Sequence, residues 1–295
     1  AFEAGQMSAA CPYCASPTVA GATGSLAGMP APEYVLGFSL GLPAARARAV
    51  DWLRHRSIFT EPSVRMAPAG KLRGVYVPVY LYSAISDSAY TASIGEYNWD
   101  TETYTTTDSK GRTVVRTRRV RRTEWRSLSG VRSEYVTDVI VSASRGLPNA
   151  ELEMIEPFDL RALRRWTPAM ISGWAAEQCS LSPAESAGTA RREAWVLAGR
   201  RLDSFMPGDT HSDLKHETTF RNESLALVLA PIWVLSVAYD PKKPPFRLLV
   251  NGQTGKLYGK PPKSRTRVGI AIGCGVALVL GAALAVLGGL VLMNL

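Results

Sequence analysis

Two groups of residues have the type and spacing to do chemistry. Cys11-Pro12-Tyr13-Cys14 carries the C-x2-C spacing that lets two thiolates grip one side of a tetrahedral Zn2+ ion, and a structural site then needs two further ligands. The sequence offers no second CxxC, and His55, His211 and His216 are scattered. Cys11 and Cys14 therefore read as half of a zinc ribbon whose other pair is missing. A redox reading needs a βαβ context, which the surrounding Ala, Gly, Ser and Pro residues do not offer.

The second group is RTVVRTRRVRRTEWR, Arg112 to Arg126. On a strand, alternation puts Arg116, Arg118 and Arg122 on one face and Arg119 and Arg121 on the other. A fully buried strand could not hold these charges unpaired. Two readings stand side by side. One is a solvated edge strand whose arginines discourage edge-to-edge pairing. The other is contact with anionic headgroups, a nucleic-acid backbone or an acidic partner.

Other chemistry is searched for without success. Asp209, His211, Asp213, His216 and Glu217 form the one remaining titratable cluster and read as a solvated loop. Gly252 to Lys256 is GxxGK rather than GxxxxGK, with Leu257 where a phosphate loop needs a hydroxyl. HExxH and GxGxxG do not occur. The expectation is a protein that is not an enzyme.

The arginine run is expected on the second arm of a hairpin, Thr101 to Thr107 and Arg112 to Arg126, closed by Asp108-Ser109-Lys110-Gly111. Leu72 to Ile85 is the clearest strand, with Val75, Val77, Val79 and Leu81 alternating with Tyr76, Pro78, Tyr80 and Tyr82. Pro78 marks an edge or a bulge there. Leu225 to Tyr239 repeats the pattern when Pro231 is set on Pro78, which points to two related β-units. Further strands are expected at Tyr34 to Phe38, Tyr135 to Val141, Phe246 to Val250 and Lys256 to Tyr258. Helices are expected from Pro43 to about Arg56, over Pro168 to Gln178, and from Pro183 to Phe205 behind a Ser182 cap. In the last, Trp195, Leu202 and Phe205 are expected on the buried face.

The closing stretch, Val268 to Leu292, has no charged residue over its twenty-five positions. As a helix it would be about 37 Å long, enough to cross a ~30 Å hydrocarbon core. Gly269, Gly273, Ala277, Gly281, Ala285 and Gly289 recur every fourth residue, a face for close helix packing. Lys256, Lys260, Lys263, Arg265 and Arg267 precede it, so the positive-inside rule places the N-terminal body in the cytoplasm. The net charge of +9 suits anionic lipid or nucleic acid without choosing between them. The expected partners are thus the lipid bilayer, other membrane proteins or a second copy through the helix, with nucleic acid as the alternative.

The ordered set CPYCASPTV, LRGVYVPVYLYSA, ELEMIEPFDL, LAPIWVLSVAY and VNGQTGKLYG closely resembles a bacterial family of TFIIB-type zinc-ribbon membrane proteins, often labelled primosomal protein N′ or replication-factor-Y-like helicases. The resemblance covers Ala1 to about Arg267. It implies a cytoplasmic zinc ribbon with bound Zn2+, a β-rich body and a membrane anchor in the bacterial inner membrane. It also implies a first CxxC upstream of Ala1, and hence trimming of the chain. Here Ala15 replaces the usual Gly after the second cysteine, and motor motifs for a helicase are absent. What it implies functionally is association with membrane-stress or membrane-scaffold proteins.

The expected architecture is α+β. Residues 1–20 form half a zinc ribbon, 21–32 a linker, and 33–260 an antiparallel β-rich body. A basic juxtamembrane linker, 261–267, leads to a transmembrane helix at 268–292. The expected function is a non-enzymatic membrane-anchored adaptor, with membrane-tethered nucleic-acid binding through the ribbon and the arginine strand as the alternative.

Overall fold

A computed structural model describes residues 30–68, 70–107 and 109–275. In chain order the elements are β1 (Tyr34–Val35), α1 (Leu42–Arg54), α2 (Pro62–Met66), β2 (Leu72–Thr107), β3 (Thr113–Ser142) and α3 (Asn149–Ile155). Then come β4 (Arg164–Arg165), β5 (Ala175–Ala176), α4 (Pro183–Phe205), β6 (Thr210–Val237), β7 (Phe246–Asn251) and β8 (Leu257–Gly259). The strand order is β3-β2-β6-β1-β4, with β5 on β2, β7 on β6 and β8 on β7.

The chain forms two compact units. Among the described residues, one holds those up to Val79, Ser142–Ser182 and those from Leu227 to 275; the other holds Tyr80–Val141 and Pro183–Ala226. In the first, β7 pairs antiparallel with β6 from Ile232↔Asn251 to Val237↔Phe246, and β8 continues at Leu249↔Tyr258. FRLLVN is a nearly continuous apolar run because its strand is covered. Ala45, Ala49 and Leu53 of α1 and Val64 of α2 pack on Trp233, Leu235, Val237, Leu248 and Val250. Pro43 in the first turn of α1 presets the helical φ. The Trp233 indole donates to the Leu40 carbonyl at 2.9 Å, so its polar atom is satisfied inside the core. Asn251 is fully buried. It accepts from the amides of Gln253 and Thr254 while donating to the carbonyls of Ile155 and Pro157. One side chain thus shapes the β7–β8 turn and ties it to the end of α3.

In the second unit, α4 lies against β3 and β6. Its buried face is Ser186, Ala190, Ala194, Ala198 and Leu202, every fourth residue. Arg191 holds Glu223 of β6 with two hydrogen bonds, at 2.6 and 3.0 Å. Arg201 holds Asp138 of β3 at 2.9 and 3.1 Å. The expected helix limits are met, but Trp195 and Phe205 are on the exposed side. Small residues line the contact because the helix backbone approaches closely: a Cβ at Gly199 would sit 2.7 Å from His216.

Several expectations are corrected. The sheet is mixed rather than antiparallel: β1 runs parallel to β6 at Tyr34↔Val228, and β5 parallel to β2 at Val75↔Ala175. Short crossing segments produce these pairings, and no period-two pattern announces a two-residue strand. Pro168 to Gln178 is a 3-10 turn, Pro168–Ile171, followed by β5. The α+β architecture with a closing transmembrane helix is overturned. Among the described residues no helix is long and apolar enough to cross a membrane. The described part of the closing stretch, 268–275, is helical and spans only about 12 Å. Residues 276–292 of the expected span lie outside the described residues. Placement in the inner membrane, which rested on that helix, is withdrawn with it.

The basic linker is docked rather than free. Thr60 bridges Lys263, the Glu61 amide donates to the Pro262 carbonyl at 3.0 Å, and the Ser264 amide donates to the Phe59 carbonyl at 2.8 Å.

Candidate functional site

The arginine run lies on β3, paired with the outer half of β2. β2 and β3 are the expected hairpin with longer arms than the sequence suggested, and Gly111 in its turn has φ +74°. Thr and aromatic residues dominate the outer arms, Thr101, Thr103, Thr105 and Thr107 with Tyr97, Trp99 and Tyr104, all good strand formers. The third strand begins only at Thr210. There the Asp209 amide donates to the Gly95 carbonyl at 3.1 Å, and the Asp209 carboxylate accepts from the Tyr97 amide at 2.7 Å. Beyond Tyr97 the hairpin is a two-stranded ribbon with both faces in solvent, roughly 36 Å long at ~3.3 Å per residue.

Alternation sorts the ribbon into two faces of different chemistry. On one, Arg118 and Arg122 each reach Glu102 at 3.1 Å, Arg122 also reaches Asp100 at 3.1 Å, and Arg126 pairs with Glu96. The two arginine hydrogen bonds hold the Glu102 carboxyl below the usual carboxylate range. On the other, the Arg119 guanidinium lies 5.5 Å from the Trp99 ring centre and the Arg121 guanidinium 4.2 Å from that of Tyr97. Neither engages a carboxylate among the described residues. Trp125 shares this face, beside Gly95, where an added Cβ would meet its ring at 3.1 Å. Trp99 is 57% exposed and Trp125 49%.

Of the arginines singled out from the sequence, Arg116, Arg118, Arg119, Arg121 and Arg122 are all exposed on this one ribbon. Arg118 and Arg122 pair with carboxylates, Arg118 also lying 5.5 Å from the Tyr104 ring centre, and Arg119 and Arg121 lie over rings with no carboxylate beside them among the described residues. Sequence reasoning missed Tyr97, Trp99 and Trp125. The signal for Tyr97 and Trp99 was the period-two pattern of EYNWDTETY, which begins before the expected start of the hairpin at Thr101, and Trp125 lay within the arginine run itself.

The remaining candidates do not converge. Cys11 and Cys14 lie outside the described residues. Among the described residues no group of three or more His, Cys, Asp or Glu side chains is placed to hold a metal, so the metal-binding designation is withdrawn for them, and the Zn2+ expectation at Cys11 and Cys14 lies outside them. A Cβ at Gly269 or Gly273 would meet nothing within 4 Å, so those two positions pack against no part of this chain among the described residues. Ala277, Gly281, Ala285 and Gly289 lie outside the described residues. The acidic and histidine cluster is dispersed onto separate partners. His211 binds Asp203 at 2.9 Å, while His216 stacks on Trp195 with ring centres 4.5 Å apart.

Comparisons with known proteins supply no family. No family model matches the chain, and no solved structure matches it. The chain is similar to the protein named "Uncharacterized protein YdjG" of Bacillus subtilis (strain 168), 25% identical over 264 residues that cover 86% of this chain and 72% of that protein.

Proposed function

We propose that this chain is a non-enzymatic binding protein whose working surface is the outer β2–β3 ribbon, and that its ligand is nucleic acid. One observation carries the reading. Arg119 and Arg121 lie over Trp99 and Tyr97 and leave their charge unclaimed by carboxylates among the described residues, while Arg118 and Arg122 alongside are bound to Glu102 and Asp100. Edge protection alone calls for charge, not for rings on the same face. Arginine stacked on an aromatic ring keeps its N–H groups directed outward for phosphate oxygens. A net charge of +9 favours encounter with a polyanion.

The test is fluorescence anisotropy of a labelled oligonucleotide titrated with the purified protein. Binding at low salt that weakens in the Arg119→Gln/Arg121→Gln variant is expected. Binding that the variant leaves intact, or none at low salt, overturns the reading.

A second reading, an adaptor for a protein partner, is favoured by one feature of β3. It is an edge strand of the sheet, and it carries Val131 and Tyr135 at 75% and 74% exposure. An extended peptide could add to that edge, with these side chains as anchors. Val131→Ser/Tyr135→Ser then abolishes co-purification with the partner while leaving oligonucleotide binding unchanged.

A further inference from the structure

The nucleic-acid reading leaves open which form of nucleic acid the ribbon takes. Resting on that reading, we infer that the face bearing Tyr97, Trp99, Arg119, Arg121 and Trp125 is a stacking platform for single-stranded nucleic acid, and that it discriminates against duplex.

The face of Asp100, Glu102, Arg118 and Arg122 presents two carboxylates among its arginines, and a phosphate approaching it meets like charge. The opposite face presents rings and cations with carboxylates absent among the described residues. The ligand therefore meets the aromatic face.

Exposure comes next. Trp99 and Trp125 are each about half open to solvent, and they share one face with the two arginines. Tracking a duplex backbone needs cations but no rings, since its bases are stacked inside and unavailable. An unstacked base does have a free face, and base–aromatic stacking contributes about 1–3 kcal/mol per base whatever the sequence.

Spacing completes the case. Tyr97 and Trp99 are i and i+2 on one strand, ~6.8 Å apart along it. That is twice the ~3.4 Å rise of a stacked nucleic-acid strand. Consecutive bases held in a helix cannot each meet one of these rings, whereas a strand opened to admit a ring between neighbours can. The stacked guanidinium groups then lie beside the path of the backbone. The ribbon is accessible for this because the third strand ends at the level of Tyr97.

The experiment uses the full chain with three probes compared at one salt concentration: oligo(dT), a duplex of equal length, and heparin as a polyanion without bases. Oligo(dT) is expected to bind tighter than the duplex and to quench tryptophan emission. Trp99→Ala/Trp125→Ala should lose about tenfold or more in oligo(dT) affinity, since ~1.4 kcal/mol is a factor of ten. It should bind heparin as the unaltered protein does and keep its circular dichroism spectrum, because both rings are exposed. Duplex binding at equal or higher affinity, with the tryptophan variant neutral, overturns the single-strand inference and leaves the nucleic-acid reading standing. Failure to bind either nucleic acid overturns both. Heparin binding that falls in step with oligo(dT) binding also overturns the stacking inference.

Discussion

The Arg121 guanidinium lies over Tyr97, 4.2 Å from the ring centre, while Arg122, next in sequence, turns to the other face and binds Asp100 and Glu102 at 3.1 Å. Strand alternation thus gives adjacent arginines different states, one stacked and available, the other paired. Lysine at position 121 keeps the charge but loses the planar group that stacks and forks. Arg121→Lys should weaken oligonucleotide binding several-fold at fixed salt, consistent with ~0.5–1 kcal/mol for an exposed cation–π contact, while leaving the salt dependence unchanged. Anisotropy titrations at two salt concentrations measure both; a lysine variant indistinguishable from the unaltered protein counts against a stacking role.

The α4 contact depends on small side chains, with Ala190, Ala194 and Ala198 fully buried. Ala194→Leu forces extra atoms into a close helix–sheet contact and should destabilise by about 1–3 kcal/mol in urea unfolding. Trp195→Ala, on the half-exposed neighbour, should cost less despite removing far more atoms. Equal costs would contradict the assignment of the buried face.

Glu156 makes stability depend on pH. Burial, reinforced by the nearby Glu153 charge and opposed by Lys256, raises its carboxyl to about 7. Its Oε1 is buried without a hydrogen-bond partner among the described residues. The folded state therefore holds this proton more tightly than the unfolded chain, whose value is near 4.5. Its contribution is favourable below that value and is lost as pH rises through about 7. Glu156→Gln should raise Tm relative to the unaltered protein near pH 8, with the gap closing near pH 5. A gap that does not change with pH would remove Glu156 as the cause.

Tyr82 and Arg191 share the Glu223 carboxylate, the tyrosine hydroxyl donating at 2.9 Å and the guanidinium at 2.6 Å. Arg191 and, secondarily, Tyr82 hold Glu223 below the usual carboxylate range against the opposing effect of burial. The stability this gives is present above the ordinary carboxylate pKa and lost as pH falls through the lowered folded value. Tyr82→Phe should cost about 1 kcal/mol at neutral pH, the net worth of one hydrogen bond. In Glu223→Gln the same tyrosine substitution should cost less; an unchanged cost would separate the two residues.

The legible parts of the chain were those with a strong local period. α4 could be read to its limits from its proline start and long helical spacing, and the hairpin from turn residues between alternating arms. On the buried face of α4, Leu202 is inside as its period implies, but Trp195 and Phe205 are exposed, because Ser186, Ala190, Ala194 and Ala198 line a close contact with the sheet. The parallel pairings of β1 and β5 were not legible, since a two-residue strand is fixed by its neighbours and not by its own pattern. The site was half legible. Five arginines stood out by density, but which of them are neutralised depends on Asp100, Glu102, Tyr97 and Trp99 across the ribbon, and the sequence does not reveal their register. Of the closing apolar run only residues 268–275 are described, and among the described residues no helix is long and apolar enough to cross a membrane.

The most direct test of the central claim is the salt dependence of oligo(dT) binding by the unaltered protein and by Arg119→Gln/Arg121→Gln. Each phosphate contact on a single strand contributes about −0.7 to the slope of log K against log salt. If both arginines engage phosphates, the variant's slope should be shallower by about 1.4. An identical slope in the two proteins would contradict the account.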